Sequence, residues 1–212
     1  MSDGELRNLP SFVQDSLFKK PRRSPVNIVL NVIIVFFCVV LVMELLFNLF
    51  YTGIYVIDRS MTPTLIGATS AGSADGEFIY VDKYAKPDYG DIVVVYREAN
   101  GDNIIKRVVA FGGDTVEIKQ GVLYINGKVR EEPYLDPDYN TADAEANTFA
   151  EYYVEEGYMF LLGDNRDISN DSRANGAYPE KDLVGVVPDW SMSLKNLTTK
   201  FYTFFNFTLW GK

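Results

Sequence analysis

The chain has 212 residues, 47% hydrophobic and 23% charged, enough for one membrane anchor and one modest folded domain. Its 20 Lys/Arg against 29 Asp/Glu give a net charge of −9, and the acidic excess argues against nucleic acid as a partner. With no histidine and a single cysteine, Cys38, the chain has no Ser-His-Asp relay, Cys-His transpeptidase pair, internal disulfide or cysteine-based metal site, and most zinc chemistry is removed.

Residues 1–25 carry the basic residues Arg7, Lys19, Lys20, Arg22 and Arg23 against Asp3, Glu5 and Asp15. Val26 to Tyr51 follows as an apolar run that as a helix spans roughly 39 Å, more than a hydrocarbon core of about 30 Å. Asn27, Asn31 and Asn48 fall towards its ends, and Glu44 is close enough to the end to snorkel outward or to pair with a partner. The Lys19-Lys20-Pro21-Arg22-Arg23 cluster predicts a cytoplasmic N-terminus and places residues 52–212 outside the plasma membrane. Asn48-Leu49-Phe50-Tyr51 is a poor small-residue cleavage site, so the run reads as an uncleaved signal anchor. Three regions result: a cytoplasmic tail over 1–25, a transmembrane anchor over 26–51 and an extracytoplasmic domain over 52–212.

Beyond Tyr51 the pattern changes to short β-branched and aromatic runs between turn residues, which predicts an all-β domain. Gly53–Ile57 leads into Ser60. Phe78–Val81, Asp91–Tyr96, Ile104–Phe111 and Thr115–Lys119 follow. Val122–Ile125 runs into Asn126-Gly127, a strong hairpin signal. The segments 67–76 and 135–150 read as loops, while Tyr158–Leu162 and Leu183–Val187 read as late strands. The aromatic segment from Lys200 to Trp210 fits a last strand or helix on the core, or a patch at the membrane interface.

Three places carry candidate chemistry. Ser60 opens Ser60-Met61-Thr62-Pro63-Thr64-Leu65, and with no histidine present the base left for a serine nucleophile is a lysine of lowered pKa. Lys106 lies within Ile104-Ile105-Lys106-Arg107-Val108-Val109. Strand alternation groups it with Ile104 and Val108, opposite Ile105, Arg107 and Val109, and apolar neighbours would lower its pKa towards that of a general base. The polar block Gly163-Asp164-Asn165-Arg166-Asp167-Ile168-Ser169-Asn170-Asp171-Ser172-Arg173 fits a run of Asx turns, or a loop that braces the lysine; it does not fit the calcium-loop pattern.

In these blocks, together with Gly90-Asp91-Ile92-Val93 and Lys106–Asp114, the chain resembles the bacterial type I signal peptidases of the short, single-anchor kind. The resemblance runs from about 26 to 187. It implies a mainly β fold, an antiparallel coiled-sheet catalytic domain on one N-terminal transmembrane helix. It implies a serine endopeptidase that removes N-terminal signal peptides from exported preproteins by a Ser/Lys dyad and cuts after Ala-x-Ala. Such a Ser/Lys peptidase needs no metal or organic cofactor. Ser60 would be the nucleophile and Lys106 the general base. Ser169 would hydrogen-bond Lys106, with Asp171 and Arg173 as a supporting pair, together with Arg107. The Ser60 N–H would serve the oxyanion. Ile54, Val56, Met61, Leu65 and Ile105 would line small pockets for the residues at −1 and −3, with the substrate extended beside 53–58 and 102–106. Signal peptides, the lipid bilayer and the secretion translocon would be its partners. Asp58 departs from members that carry a hydroxyl residue at that position as a second oxyanion donor. Alternatives are a self-cleaving repressor, which would carry a DNA-binding domain where this chain has a membrane helix; an inactive anchored β domain that binds exported chains; and a specialised, pilus-linked peptidase.

Overall fold

The structure, a computed structural model, describes residues 24–69, 75–98, 101–140 and 148–210, with side chains to residue 204. The basic cluster before the anchor, the centres of the 67–76 and 135–150 loops and the last two residues lie outside the described residues. The chain divides into two compact units, 1–47 and 48–212.

Helix α1 is Pro25–Phe50, long and apolar enough to cross a membrane, and none of its residues is buried against protein. Its length and its apolar side chains make it a candidate membrane span. The helix stops one residue before the sequence-based boundary, because Tyr51 already pairs with Asp82 in a sheet.

The second unit is mainly antiparallel β, as expected. Its strands are β1 (Tyr51–Tyr55), β2 (Phe78–Asp82), β3 (Ile92–Arg97), β4 (Asp102–Phe111), β5 (Thr115–Lys119), β6 (Val122–Ile125), β7 (Lys128–Val129), β8 (Phe149–Tyr153), β9 (Tyr158–Leu162), β10 (Tyr178–Pro179) and β11 (Leu183–Val186). One sheet runs β1-β2-β11-β3-β4-β9-β10, and the other β7-β6-β5-β8. Asn126 and Gly127 both adopt positive φ, 53° and 73°, as the tight β6–β7 turn requires. Strand β8 occupies the end of what reads in sequence as a loop. Its Phe-Ala-Glu-Tyr-Tyr has little apolar alternation, and pairing with β5 together with Phe149 and Tyr152 packed on Phe160 defines it.

Two buried clusters flank β4. Ile104 and Val108 pack with Val93, Val95, Met159 and Leu161; Ile105, one residue out of phase, packs with Val56, Met61, Leu65 and Ile79. This is the alternation read from the sequence, and it fixes which way Lys106 points.

The aromatic C-terminal segment belongs to a helix, α3 (Asp189–Trp210); the short α2 is Ser172–Asn175. Helix α3 lies along β2, where β11 pairs only at Asp82. Its hydroxyls take the place of the missing strand: Phe78 N–H donates to Thr199 Oγ1 at 2.7 Å, Tyr80 N–H to Ser191 Oγ at 2.8 Å, and Thr198 Oγ1 to the Phe78 carbonyl at 2.7 Å. Backbone groups at a partly covered sheet edge need such partners. Tyr202 stacks on Phe78 and Tyr55.

Candidate active site

Ser60 follows β1 in a short 3-10 turn over Arg59–Met61, entered from an extended Asp58. Lys106 stands on β4 opposite Val93 and is only 2% exposed. Its Nζ donates to Ser60 Oγ at 2.6 Å and to the Ile105 carbonyl at 3.0 Å. Burial pushes the Lys106 pKa below the ordinary lysine value of 10.5, and the nearby Asp58 and Asp171 carboxylates partly oppose the shift. A buried amine of lowered pKa against a serine hydroxyl can accept that proton, which arginine could not do.

The 163–173 block wraps the pair. Strand pairing of Arg107 with Leu162 carries the chain past Lys106 just as β9 ends. The Ser60 carbonyl accepts from Asn165 N–H at 2.9 Å. A Cβ on Gly163 would overlap Ser169 Oγ and lie 2.5 Å from the Ser60 carbonyl, so only glycine lets the two backbones approach this closely.

The structure rearranges the supporting roles. Arg173 donates to Asp171, Nε to Oδ1 at 2.9 Å. Burial disfavours the Asp171 carboxylate, but the bound Arg173 guanidinium and the Gly163 N–H hold its pKa below the ordinary 3.8. Arg107 does not join that pair. It points its fork at Asp164, with Nε 2.8 Å from Oδ1, donates to the Gly90 carbonyl and lies 3.8 Å from the centre of the Tyr134 ring. Ser169 does not bond Lys106 either. Its Oγ is buried beside Gly163 and makes no hydrogen bond of normal geometry among the described residues, although it lies near enough to Asp171 to favour that carboxylate's charged form. The Ile105 carbonyl holds Nζ instead. Sequence reasoning also missed the buried Arg166–Glu132 pair. The two charges are far apart in the chain and only the tertiary fold joins them.

Above Ser60 lies a groove of about 500 Å³ lined by Ile54, Val56, Met61, Ile104 and Ile105, with Asp58, Arg97 and Asp102 towards solvent. Four of the five expected pocket residues are here. Leu65 is not: it is fully buried in the core beneath, against Val56 and Met61. Ile104 takes its place in the wall. Both sides of the groove are strand edges. Strand β1 is the end strand of its sheet, and β4 pairs with β9 only from Arg107 onward, so 102–106 lack a strand on that side. An extended peptide can add to such edges main chain to main chain. Asp58 is 75% exposed in the groove, its Oδ2 3.9 Å from Lys106 Nζ. Among the described residues no group of His, Cys, Asp and Glu is arranged to hold a metal ion.

A sequence model of the signal peptidase family, peptidase S26, matches residues 29–190. Signal peptidase I U of Bacillus subtilis is 33% identical over 178 residues, covering 79% of this chain and 87% of its own. Signal peptidase I of Streptococcus pneumoniae is 33% identical over 171 residues, 64% of this chain and 79% of that protein. The solved signal peptidase I of Enterococcus faecalis is 32% identical and aligns over 49% of this chain and 98% of its own with a TM-score of 0.44. A family match over most of its length, and relatives with a third of their residues in common with it, show that this chain belongs to the signal peptidases, peptidase family S26.

Proposed function

We propose that the protein is a membrane-anchored serine endopeptidase that removes signal peptides from exported preproteins with Ser60 as nucleophile and Lys106 as general base. The observation that carries this reading is the 2.6 Å approach of a buried lysine to a serine at the foot of a groove between two open strand edges. Neutral Lys106 takes the Ser60 proton as Oγ attacks the scissile carbonyl, and the Ser60 N–H faces the developing oxyanion. The Lys106 ammonium then protonates the departing amine of the mature chain, leaving the signal peptide as an ester on Ser60. Water, activated by the same amine, hydrolyses the ester and frees the signal peptide's carboxylate. The N-terminus lies in the cytoplasm and the catalytic domain outside, by the distribution of Lys and Arg before α1.

Shallow walls of Ile54, Ile104 and Ile105 favour alanine-sized side chains at −1 and −3. Ile105→Ala is expected to raise kcat/KM for a preprotein with valine at −1 by about 10-fold or more, since each accommodated methyl group is worth about 1–3 kcal/mol. An unchanged Ala/Val ratio would remove Ile105 from the specificity pocket. The reading as a whole is tested by incubating the detergent-solubilised full chain with an Ala-x-Ala preprotein and reading the product N-terminus by mass spectrometry. No cleavage by folded protein would favour a binding module.

The exposed residues Leu194, Leu197, Phe201 and Phe204 form one stripe on α3. It suits the headgroup level of a bilayer, where apolar rings and a polar helix face are both satisfied. Changing all four to serine is expected to lower liposome partitioning of residues 52–212 by about 10-fold or more. Equal partitioning would remove this contact.

A further inference from the structure

The family match ends at residue 190, and α3 runs on to Trp210. Helix α3 reaches the segment that carries Ser60. Lys195 Nζ donates to the Thr64 carbonyl at 2.7 Å and to Glu77 Oε2 at 3.0 Å, with Glu77 Oε1 in ion-pair contact at 2.9 Å. Glu77 in turn grips both ends of that segment. Its carboxylate accepts from Ile66 N–H at 2.9 Å, its own N–H donates to the Ile66 carbonyl at 2.9 Å, and its carbonyl accepts from Val56 N–H at 2.9 Å. On the opposite side the segment is held through Thr64 Oγ1 on Asp164 and the Ser60 carbonyl on Asn165. The nucleophile segment is thus clamped between the 163–173 block and α3, and Lys195 is where α3 closes the clamp.

We propose that Lys195 is a positioning residue for Ser60. By fixing the Thr64 carbonyl and the Glu77 carboxylate it sets the height of the 3-10 turn against Lys106. Reaction rate depends steeply on such placement: an error near 1 Å costs about 100-fold. Helix α3 has its own attachments to β2 through Ser191, Thr198, Thr199 and Tyr202, so losing Lys195 does not detach it. The ammonium is mostly buried against a nearly buried carboxylate, so the ion pair is stronger than one at the surface.

This inference rests on Ser60 being the nucleophile, and the test separates the two. Full-length wild type, Ser60→Ala, Lys195→Met and Lys195→Met/Glu77→Gln are compared for kcat and KM on one preprotein, with melting temperatures. The double variant leaves no unpaired buried carboxylate and carries the comparison if Lys195→Met fails to fold. The expected result is a loss in kcat of about 10-fold in both Lys195 variants, with KM within about twofold, even where the double variant regains melting temperature. Wild-type kcat in Lys195→Met, or a kcat that recovers together with melting temperature in the double variant, overturns the positioning role alone. Cleavage that survives in Ser60→Ala overturns the nucleophile assignment, and the positioning role with it.

Discussion

Ser60→Ala and Lys106→Ala are each expected to lower kcat/KM for an Ala-x-Ala preprotein by at least about 1,000-fold, with folding intact. In the proposed mechanism the two groups act as one unit, so the double variant should be no worse than either single one. Lys106→Arg should be as inactive as alanine: the guanidinium keeps the charge but cannot give up its proton, and the proposed mechanism needs a neutral base at this position. For the same reason kcat/KM should rise with pH through the lowered pKa of Lys106. Asp58, 3.9 Å away, favours the charged amine, so Asp58→Asn should move that rise to lower pH. A pH profile unchanged in Asp58→Asn would show that its carboxylate is screened by solvent. Cleavage that persists in Lys106→Ala would mean that another group is the base.

Burying that lysine also costs stability. Its folded pKa lies below its unfolded value, so the unfolded chain binds the extra proton and folding is disfavoured until pH rises past the unfolded value of 10.5. Lys106→Met is therefore expected to fold more stably at neutral pH while losing activity, a rise in melting temperature being the readout. A lower melting temperature would count against a desolvated ammonium.

Breaking the Arg107–Asp164 pair is the second large effect expected. Asp164 is 0% exposed, and it accepts from Nε and Nη2 of Arg107 as well as from Thr64 Oγ1. Asp164→Ala leaves a buried guanidinium without its partner, which costs about 3–5 kcal/mol. It also frees the Thr64 end of the segment that carries Ser60, so activity per folded molecule should fall too if Ser60 is the nucleophile. Arg107→Met strands the carboxylate instead, at similar cost. The double variant Arg107→Met/Asp164→Leu removes both charges and should be much less destabilised than the sum of the singles. Additive urea midpoints would show that the two do not interact. The same change at Arg97–Asp102, a bidentate pair whose Asp102 is half exposed, should cost no more than about 1 kcal/mol. Asp171 adds an acid limb: its folded pKa is below 3.8, so its contribution is complete above that value and is lost as pH falls through the folded pKa.

The long apolar helix, the strand-rich domain and the face that Lys106 takes on its strand are legible in the residues alone, because each is written locally. A long apolar run needs no partner to be read, and alternation over 104–109 assigns Lys106 a face whatever lies opposite. The absence of histidine narrows the bases open to a serine in any fold. Contacts between segments far apart in the chain are different, since only the folded arrangement selects among partners of equal chemistry. Arg107 had several carboxylates within reach of a guess, and the β4–β9 register gave it to Asp164 rather than to the Asp171–Arg173 pair. Ser169 sits beside Gly163 rather than on Lys106, because the close approach of Gly163 to the Ser60 carbonyl leaves its hydroxyl there. Leu65 has the composition of a pocket residue, yet the turn after Ser60 directs it into the core. The C-terminal aromatic segment could have been a strand or a helix on its residues alone. The open edge of β2, which needed donors and acceptors that Ser191, Thr198 and Thr199 supply from one helix face, settled it as a helix.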